Sequence, residues 1–170
     1  MRKAKNIISD NELKRMFFFL GKDILLNENF IKEKNFIQHG KTTTLMHSLA
    51  VSYYSFRFAM KHNYHIDFSS LVRGALLHDF YLYDWHDKNK NISWHGYVHP
   101  HIAVKRAKEH FNINYIEEDI ICKHMFPLTL SLPYCKESFL VMIFDKICSI
   151  KEIFIKEPYL KLSDLIIYNI

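Results

Sequence analysis

Hydrophobic residues recur along the chain at three- and four-residue steps, the spacing of helices that bury one face. The clearest example lies between Thr42 and Lys61, and a second lies between Lys136 and about Phe154. The predicted core positions are Leu45, Leu49, Ser52, Phe56 and Ala59 in the first segment, and Leu140, Ile143, Ile147, Ile150 and Phe154 in the second. Both segments are therefore predicted to be long helices that pack against a common core.

Capping residues and prolines mark the ends of the other predicted helices. These helices are Asn11–Leu26, Phe68–Asp79, Pro100–Phe111, Tyr115–His124 and a last one from Leu160 to the end. The N-caps of the first two are predicted to be Asp10 and Asp67. The aromatic stretch from Tyr81 to Tyr97 has no clear period and is predicted to be a structured loop. No segment predicts a convincing strand, so the expected fold class is all-α, with one domain.

The composition is that of an ordinary globular protein. Of the 170 residues, 49% are hydrophobic and 24% are charged, and only four are glycine and four are proline, which favours long helices. The formal charge of +5 is spread along the chain and predicts no specific nucleic-acid binding. The apolar run Met16–Leu20 is far shorter than a membrane span, and the three cysteines form no C-x-x-C pair. We therefore expect a cytoplasmic protein with reduced thiols and no membrane partner.

Four acids and imidazoles occupy apolar stretches of the sequence, where polar side chains are hard to explain. Asp145 follows the apolar run 139–144, and its neighbours three and four positions away carry no charge. The dipeptide His78-Asp79 follows a run of small and apolar residues, and His47 lies in similar company. An unpaired buried carboxylate costs several kcal/mol or becomes protonated. Three separate helices thus offer polar groups from apolar faces, and one metal ion would satisfy them together.

The order of these residues resembles that of the HD superfamily of metal-dependent phosphohydrolases. A lone histidine within a helix (His47), a His-Asp dipeptide that closes the next helix (His78-Asp79) and a distant aspartate followed by lysine (Asp145) match the family order over residues 47–152. The resemblance implies that these four residues bind a divalent metal, which could be Mn, Fe, Co, Ni or Mg. It also implies a compact HD-type bundle of about six or seven helices, a single domain over residues 1–170 with its core at 42–154.

Some members of this family carry two further histidines and hold a second metal. His99 and His124 resemble these two ligands, so the resemblance implies two metal ions that Asp79 bridges. His101 and His95 remain alternatives to His99, because a shift of two to four residues near a helix start could present any of the three.

The resemblance implies hydrolysis of a phosphate ester or anhydride, as a phosphomonoesterase or a phosphodiesterase acting on a small phosphorylated substrate such as a nucleotide. Metal coordination lowers the pKa of bound water from ~15.7 towards ~7, and Asp79 and Lys146 are expected to orient this nucleophile as catalytic residues. Lys123, Lys146 and Arg73 could contact further phosphate oxygens. Two alternatives stay open. One is a di-iron oxygenase of the same fold, because His and Asp ligands do not distinguish iron from manganese. The other is a non-catalytic nucleotide-binding regulatory module.

The remaining histidines and aromatic residues have plainer explanations. Polar surroundings predict surface positions for His39, His62, His65 and His110. A group of aromatic side chains either lines a pocket that stacks a base or belongs to the core, which is favoured: Tyr81, Tyr83, Trp85 and Trp94. The segment Asp84-Trp85-His86 also resembles bacterial HD proteins of similar length that carry such a segment after the His-Asp pair.

Overall fold

The first helix begins one residue earlier than predicted, because its N-cap is a different residue. The computed structural model describes residues 8–82, 95–155, 158, 159 and 162, with only the backbone at 95 and 96. Helix α1 spans Asp10–Leu25, and its N-cap is Ser9 instead of the predicted Asp10. The Ser9 hydroxyl accepts a hydrogen bond from the backbone amide of Glu12, and the Glu12 carboxylate accepts one from the backbone amide of Ser9. This capping box satisfies two amides that the helix leaves free.

The polar stretch before Gly40 contains two short strands that the sequence did not predict. After the short helix α2 (Glu28–Ile31) and a 3-10 helix (Lys32–Asn35), strand β1 (Ile37–His39) pairs antiparallel with β2 (Thr42–Thr43). Gly40 makes the turn between them with a φ of 58°, a conformation that glycine adopts at little cost. The expectation of no strand was wrong here. The all-α class is confirmed, because this two-stranded ribbon is the only sheet among the described residues.

In the part of the chain that the structure describes, five longer helices follow the ribbon. They are α3 (Thr44–Lys61), α4 (Phe68–Leu77), α5 (His95–His110), α6 (Tyr115–Lys123) and α7 (Lys136–Phe154). The bounds of α7 are those predicted, whereas α5 begins earlier, so that Pro100 lies inside the helix instead of in its first turn. Helix α4 ends at Leu77 and α6 at Lys123, and in each case the histidine that follows, His78 or His124, is the C-cap.

The core forms around α4, which contacts α1, α3, α6 and α7. Its largest buried side chains include Phe17 of α1, Phe56 of α3, Leu71 and Leu76 of α4 and Ile120 of α6. Each such side chain stabilises the fold by about 1.5–3 kcal/mol relative to an exposed one. The core positions predicted for α3 are all buried, which confirms that prediction.

Helix α7 faces the core with a different side from the predicted one. Leu140 is buried as expected, but the other four predicted core positions are exposed, namely Ile143, Ile147, Ile150 and Phe154. The buried side instead contains Leu140, Val141, Asp145, Cys148 and Glu152. This helix is apolar around most of its circumference, so the hydrophobic period alone does not select the buried face.

Several predictions fall on residues that the structure does not describe. Most of the expected loop 81–97 and the last helix from Leu160 are among them, as are the aromatic residues Tyr83, Trp85 and Trp94 and the segment 84–86. Tyr81, which is described, is fully buried. Among the described helices, none combines the length and the apolar character that crossing a membrane requires.

Candidate metal centre

Imidazole and carboxylate groups from α3, α7 and the end of α4 meet at one buried point. His47 lies on α3 and Asp145 on α7, while His78 and Asp79 end α4, and each of the four is at most 5% exposed. His47 Nε2 lies 3.1 Å from Asp145 Oδ1 and 3.3 Å from His78 Nε2. His78 Nε2 in turn lies 3.3 Å from Asp79 Oδ2. We call these four residues the first ligand set.

The separations within the first ligand set suit atoms that share one ion. Two ligand atoms that each lie ~2.1 Å from an ion, at an angle of ~90–110°, are ~3.0–3.4 Å apart. His47 Nε2 lies 3.6 Å from Asp79 Oδ2, and His78 Nε2 lies 3.8 Å from Asp145 Oδ1. The ligand atoms of His47, His78 and Asp145 all lie within 4.8 Å of one another, so these three could hold an ion together.

A second ligand set adjoins the first and shares Asp79 with it. His99 on α5 and the C-cap His124 place their Nε2 atoms 2.9 Å apart, and these atoms lie 3.2 and 3.4 Å from Asp79 Oδ1. Asp79 Oδ1 is buried and accepts no hydrogen bond from any described residue. Such an oxygen costs about 1–3 kcal/mol when it stays unsatisfied. The two oxygens of Asp79 thus face different ligand sets, and a cation in the second set would satisfy Oδ1.

Backbone contacts fix which ring nitrogen of two histidines carries the proton. His78 Nδ1–H donates to Ala75 O and His124 Nδ1–H donates to Ile121 O, each at 2.8 Å. Because a carbonyl oxygen only accepts, the proton sits on Nδ1, and in the neutral ring Nε2 presents its lone pair to the site. Metal-ligating histidines commonly make this bond through the other nitrogen. The chemistry of the donor set therefore fits a metal.

Glu152, which was not among the predicted site residues, supports His47 in a comparable way. Its buried carboxylate oxygens lie 2.9 and 3.0 Å from His47 Nδ1 and accept a hydrogen bond from the Nδ1–H group. A carboxylate in this position fixes the ring and raises the basicity of the ligating nitrogen. The signal was its spacing, because seven residues after Asp145 correspond to two helical turns on the same side of α7.

The buried carboxylates of the site are stabilised by positive charge close to them. Burial alone would raise the pKa of Asp79, but the neighbouring imidazoles of His78, His124 and His99 hold it well below its usual range. Burial would likewise lower the pKa of His78, but Asp79 and Asp145 raise it to about 9. Protons on the Nε2 atoms of His47 and His78 would repel each other at 3.3 Å. A metal ion, in contrast, would be shared by both nitrogens.

Four of the ligands, Asp79, His99, His124 and Asp145, line a cavity of about 640 Å³. The other residues that line it are Gln38, His39, Met125, Pro127, Leu128, Lys146 and Ser149. The Lys146 ammonium donates to His124 O at 2.7 Å and to Asp145 Oδ2 at 3.3 Å. An ammonium has three N–H donors, so one remains for a ligand in the cavity.

Strand β1 contributes two groups to the site that the sequence analysis missed. Gln38 donates to Asp79 Oδ2 at 2.6 Å and accepts from the Tyr81 hydroxyl. His39 is half-buried and lines the cavity, with its ring 5.6 Å from that of His47. The prediction of a surface position for His39 was therefore wrong.

Other predicted residues lie away from the ligand sets. The Arg73 guanidinium bonds Glu117 at 2.6 Å and also Asp23, and the Lys123 ammonium bonds Ser131. Neither cation lines the cavity, so the expected phosphate contacts of Arg73 and Lys123 were wrong.

None of the other described histidines replaces a member of the two ligand sets. His101 is exposed on α5, in contrast to the buried His99, and the side chain of His95 lies outside the described residues. His62, His65 and His110 are exposed, as predicted.

In a comparison with protein-family models, residues 44–150 of the chain match the model of the HD domain. This range contains every residue of both ligand sets. Comparisons with curated proteins and with solved structures find no match.

Proposed function

The chain belongs to the HD domain family, whose members are of the metal-dependent phosphohydrolase type, and from this premise we propose that it hydrolyses a phosphate ester or anhydride. The substrate would be a small phosphorylated molecule, with nucleotides among the candidates. The observation that carries the proposal is the position of Asp79, which lines the cavity and turns one oxygen to each ligand set.

Two divalent ions would occupy the two ligand sets. The first would be held by His47, His78, Asp79 and Asp145, and the second by Asp79, His99 and His124, with Mn, Fe, Co, Ni and Mg as the candidates. When bound, such ions supply Lewis acidity and an activated water. Two divalent cations carry +4 and the two aspartates carry −2, so the loaded site would remain positive and attract a phosphate group.

The chain itself contributes orientation and exclusion of water. Asp79 and Lys146 would be the catalytic residues. The free N–H of Lys146 is available for a phosphate oxygen, since its other contacts are His124 O and Asp145 Oδ2. The apolar wall formed by Met125, Pro127 and Leu128 suits the less polar part of a substrate.

The test is a panel of phosphomonoester, phosphodiester and nucleotide substrates, each with Mn, Fe, Co, Ni and Mg. We expect turnover by the wild-type protein with at least one metal, and a loss in Asp79→Ala that exceeds the ~100-fold caused by removing a group bonded to a ligand. His101→Ala and His99→Ala form a matched pair, because both histidines lie on α5 but only His99 reaches Asp79. The first variant should keep its activity and the second should lose it.

Other results would contradict the proposal. An Asp79→Ala variant as active as wild type would rule out the site. Iron-dependent oxygen consumption without phosphate release would favour the di-iron oxygenase. Nucleotide binding that survives His78→Ala, with no turnover under any metal, would favour a regulatory module.

A further inference from the structure

The outer side of α7 presents an uninterrupted row of large apolar side chains. Every exposed position of this helix after Lys136 is apolar, with exposures between 39% and 81%. These positions, which we call the α7 stripe, are Phe139, Ile143, Ile147, Ile150, Ile153 and Phe154. The acidic residues of the helix, Glu137, Asp145 and Glu152, are all buried on the opposite side. The stripe is therefore separate from the metal centre.

The spacing of the stripe is that of a helix that packs against another helix. From residue 143 to residue 154 its main positions follow one another at steps of four, three and four residues. This alternation is the a/d repeat by which two helices pack along a common seam. From Phe139 to Phe154 the stripe is ~22 Å long at 1.5 Å per residue, which is enough for a helix–helix interface.

The exposed area of the stripe approaches what a stable dimer needs. With roughly 150–200 Å² for a fully exposed large side chain, the observed fractions amount to roughly 500–700 Å² of apolar surface. The largest apolar patch of a typical monomer is ~300–600 Å². Each partner of a standard protein interface contributes ~800 Å². The stripe together with its margins would supply most of that area.

The cations nearest the stripe lie along one edge of it. Arg57, Lys61 and Lys151 line a cavity together with Ile147, and the Lys151 ammonium lies over the rings of Tyr54 and Tyr159. The stripe positions themselves are all apolar and uncharged. Two stripes can therefore meet through their apolar side chains, with the cations at the margin of the interface.

We propose that two copies of this chain associate through their α7 stripes in a twofold-symmetric dimer. A symmetric interface uses the same patch on both subunits, which an apolar and uncharged stripe allows. Ile147 and Ile150, at the middle of the stripe, would lie at the centre of the interface. This inference does not depend on the proposed hydrolase activity.

The test is the mass of the full chain in solution, measured by sedimentation velocity between 1 and 100 μM. We expect a dimer for the wild-type protein. In Ile147→Lys/Ile150→Lys the dissociation constant should rise roughly 100-fold or more, since central interface residues carry most of the binding energy. The matched control is Phe19→Lys, which changes an exposed apolar residue on α1 that is 70% exposed, and it should remain dimeric.

Circular dichroism and metal binding verify that the variants are folded. If the lysine variant does not fold, Ile147→Ser/Ile150→Ser provides the same comparison without introducing charge. A wild-type protein that is monomeric at 100 μM would overturn the proposal, whether the stripe is then covered by another part of the chain or binds anionic vesicles. A dimer that persists unchanged in the folded variants would overturn it as well.

Discussion

Replacing Glu152 with glutamine tests how much a buried carboxylate contributes to the metal centre without being a ligand. The substitution keeps an oxygen that can accept the proton on His47 Nδ1, but it removes the negative charge. In the native protein both carboxylate oxygens lie within 3.0 Å of that nitrogen. The change is therefore a loss of charge in an almost unchanged geometry.

The magnitude follows from the difference between charged and neutral hydrogen bonds. A bond to a charged group contributes about 1.5–3 kcal/mol and one between neutral groups about 0.5–1.5 kcal/mol. The difference of about 1.4 kcal/mol corresponds to roughly tenfold weaker binding of the first ion. Because Glu152 contacts His47 and not the second ligand set, the affinity for the second ion should change much less.

Isothermal titration of metal-free protein with Mn²⁺ measures both affinities. The matched control is Glu137→Gln, which changes another buried carboxylate on α7 that accepts the amide of Asp67 at 2.8 Å. This control should lose some stability and keep its metal affinity. If Glu152→Gln binds the first ion as tightly as wild type, then the carboxylate does not tune His47, and the reasoning from its position is refuted.

Two further predictions concern stability. Gly74→Ala would place a Cβ 2.5 Å from Ile120 Cδ1 and 3.2 Å from the Glu117 backbone. We expect a loss of about 1–3 kcal/mol in urea denaturation, and a variant as stable as wild type would contradict the tight contact of α4 with α6. Glu33 is a buried carboxyl whose pKa burial raises to about 8, so folding binds a proton and the free energy of unfolding falls between about pH 4.5 and 8. At 1.36 kcal/mol per pH unit, the buried Glu33 carboxyl lowers the free energy of unfolding by about 3 kcal/mol at pH 7. Glu33→Gln should make this fall smaller in metal-free protein, so identical pH profiles of the variant and wild type would contradict it.

The ends of α7 could be predicted from the sequence, whereas its buried side could not. Ile143, Ile147 and Ile150 follow one another at steps of four and three residues, a more regular hydrophobic row than the buried Leu140, Val141 and Cys148. The burial of Asp145 resolves the ambiguity. A residue two positions further along a helix points ~200° away, so Asp145 at the centre of the molecule forces Ile147 outward. A buried Asp145 is therefore incompatible with a core-facing row at Ile143, Ile147 and Ile150.

The ligand sets were easier to anticipate than their surroundings. Polar residues in apolar helices are conspicuous, which is why His47 and Asp145 could be found. His39 and Gln38 lie on a strand of three residues within a polar stretch, where no hydrophobic period indicates which side chains turn inward. The ion pairs of Arg73 could not be predicted from its neighbours in the sequence, because its partners Glu117 and Asp23 lie 44 and 50 residues away in the chain.

The most direct test of the metal centre is an anomalous difference map from a crystal of this protein soaked in Mn²⁺. We expect two peaks on either side of Asp79, about 3.5–4 Å apart. One should contact His47, His78 and Asp145, and the other His99 and His124. The contradicting result is a map with no manganese peak between these side chains. In that case the refined ligand atoms would lie too far apart to share an ion.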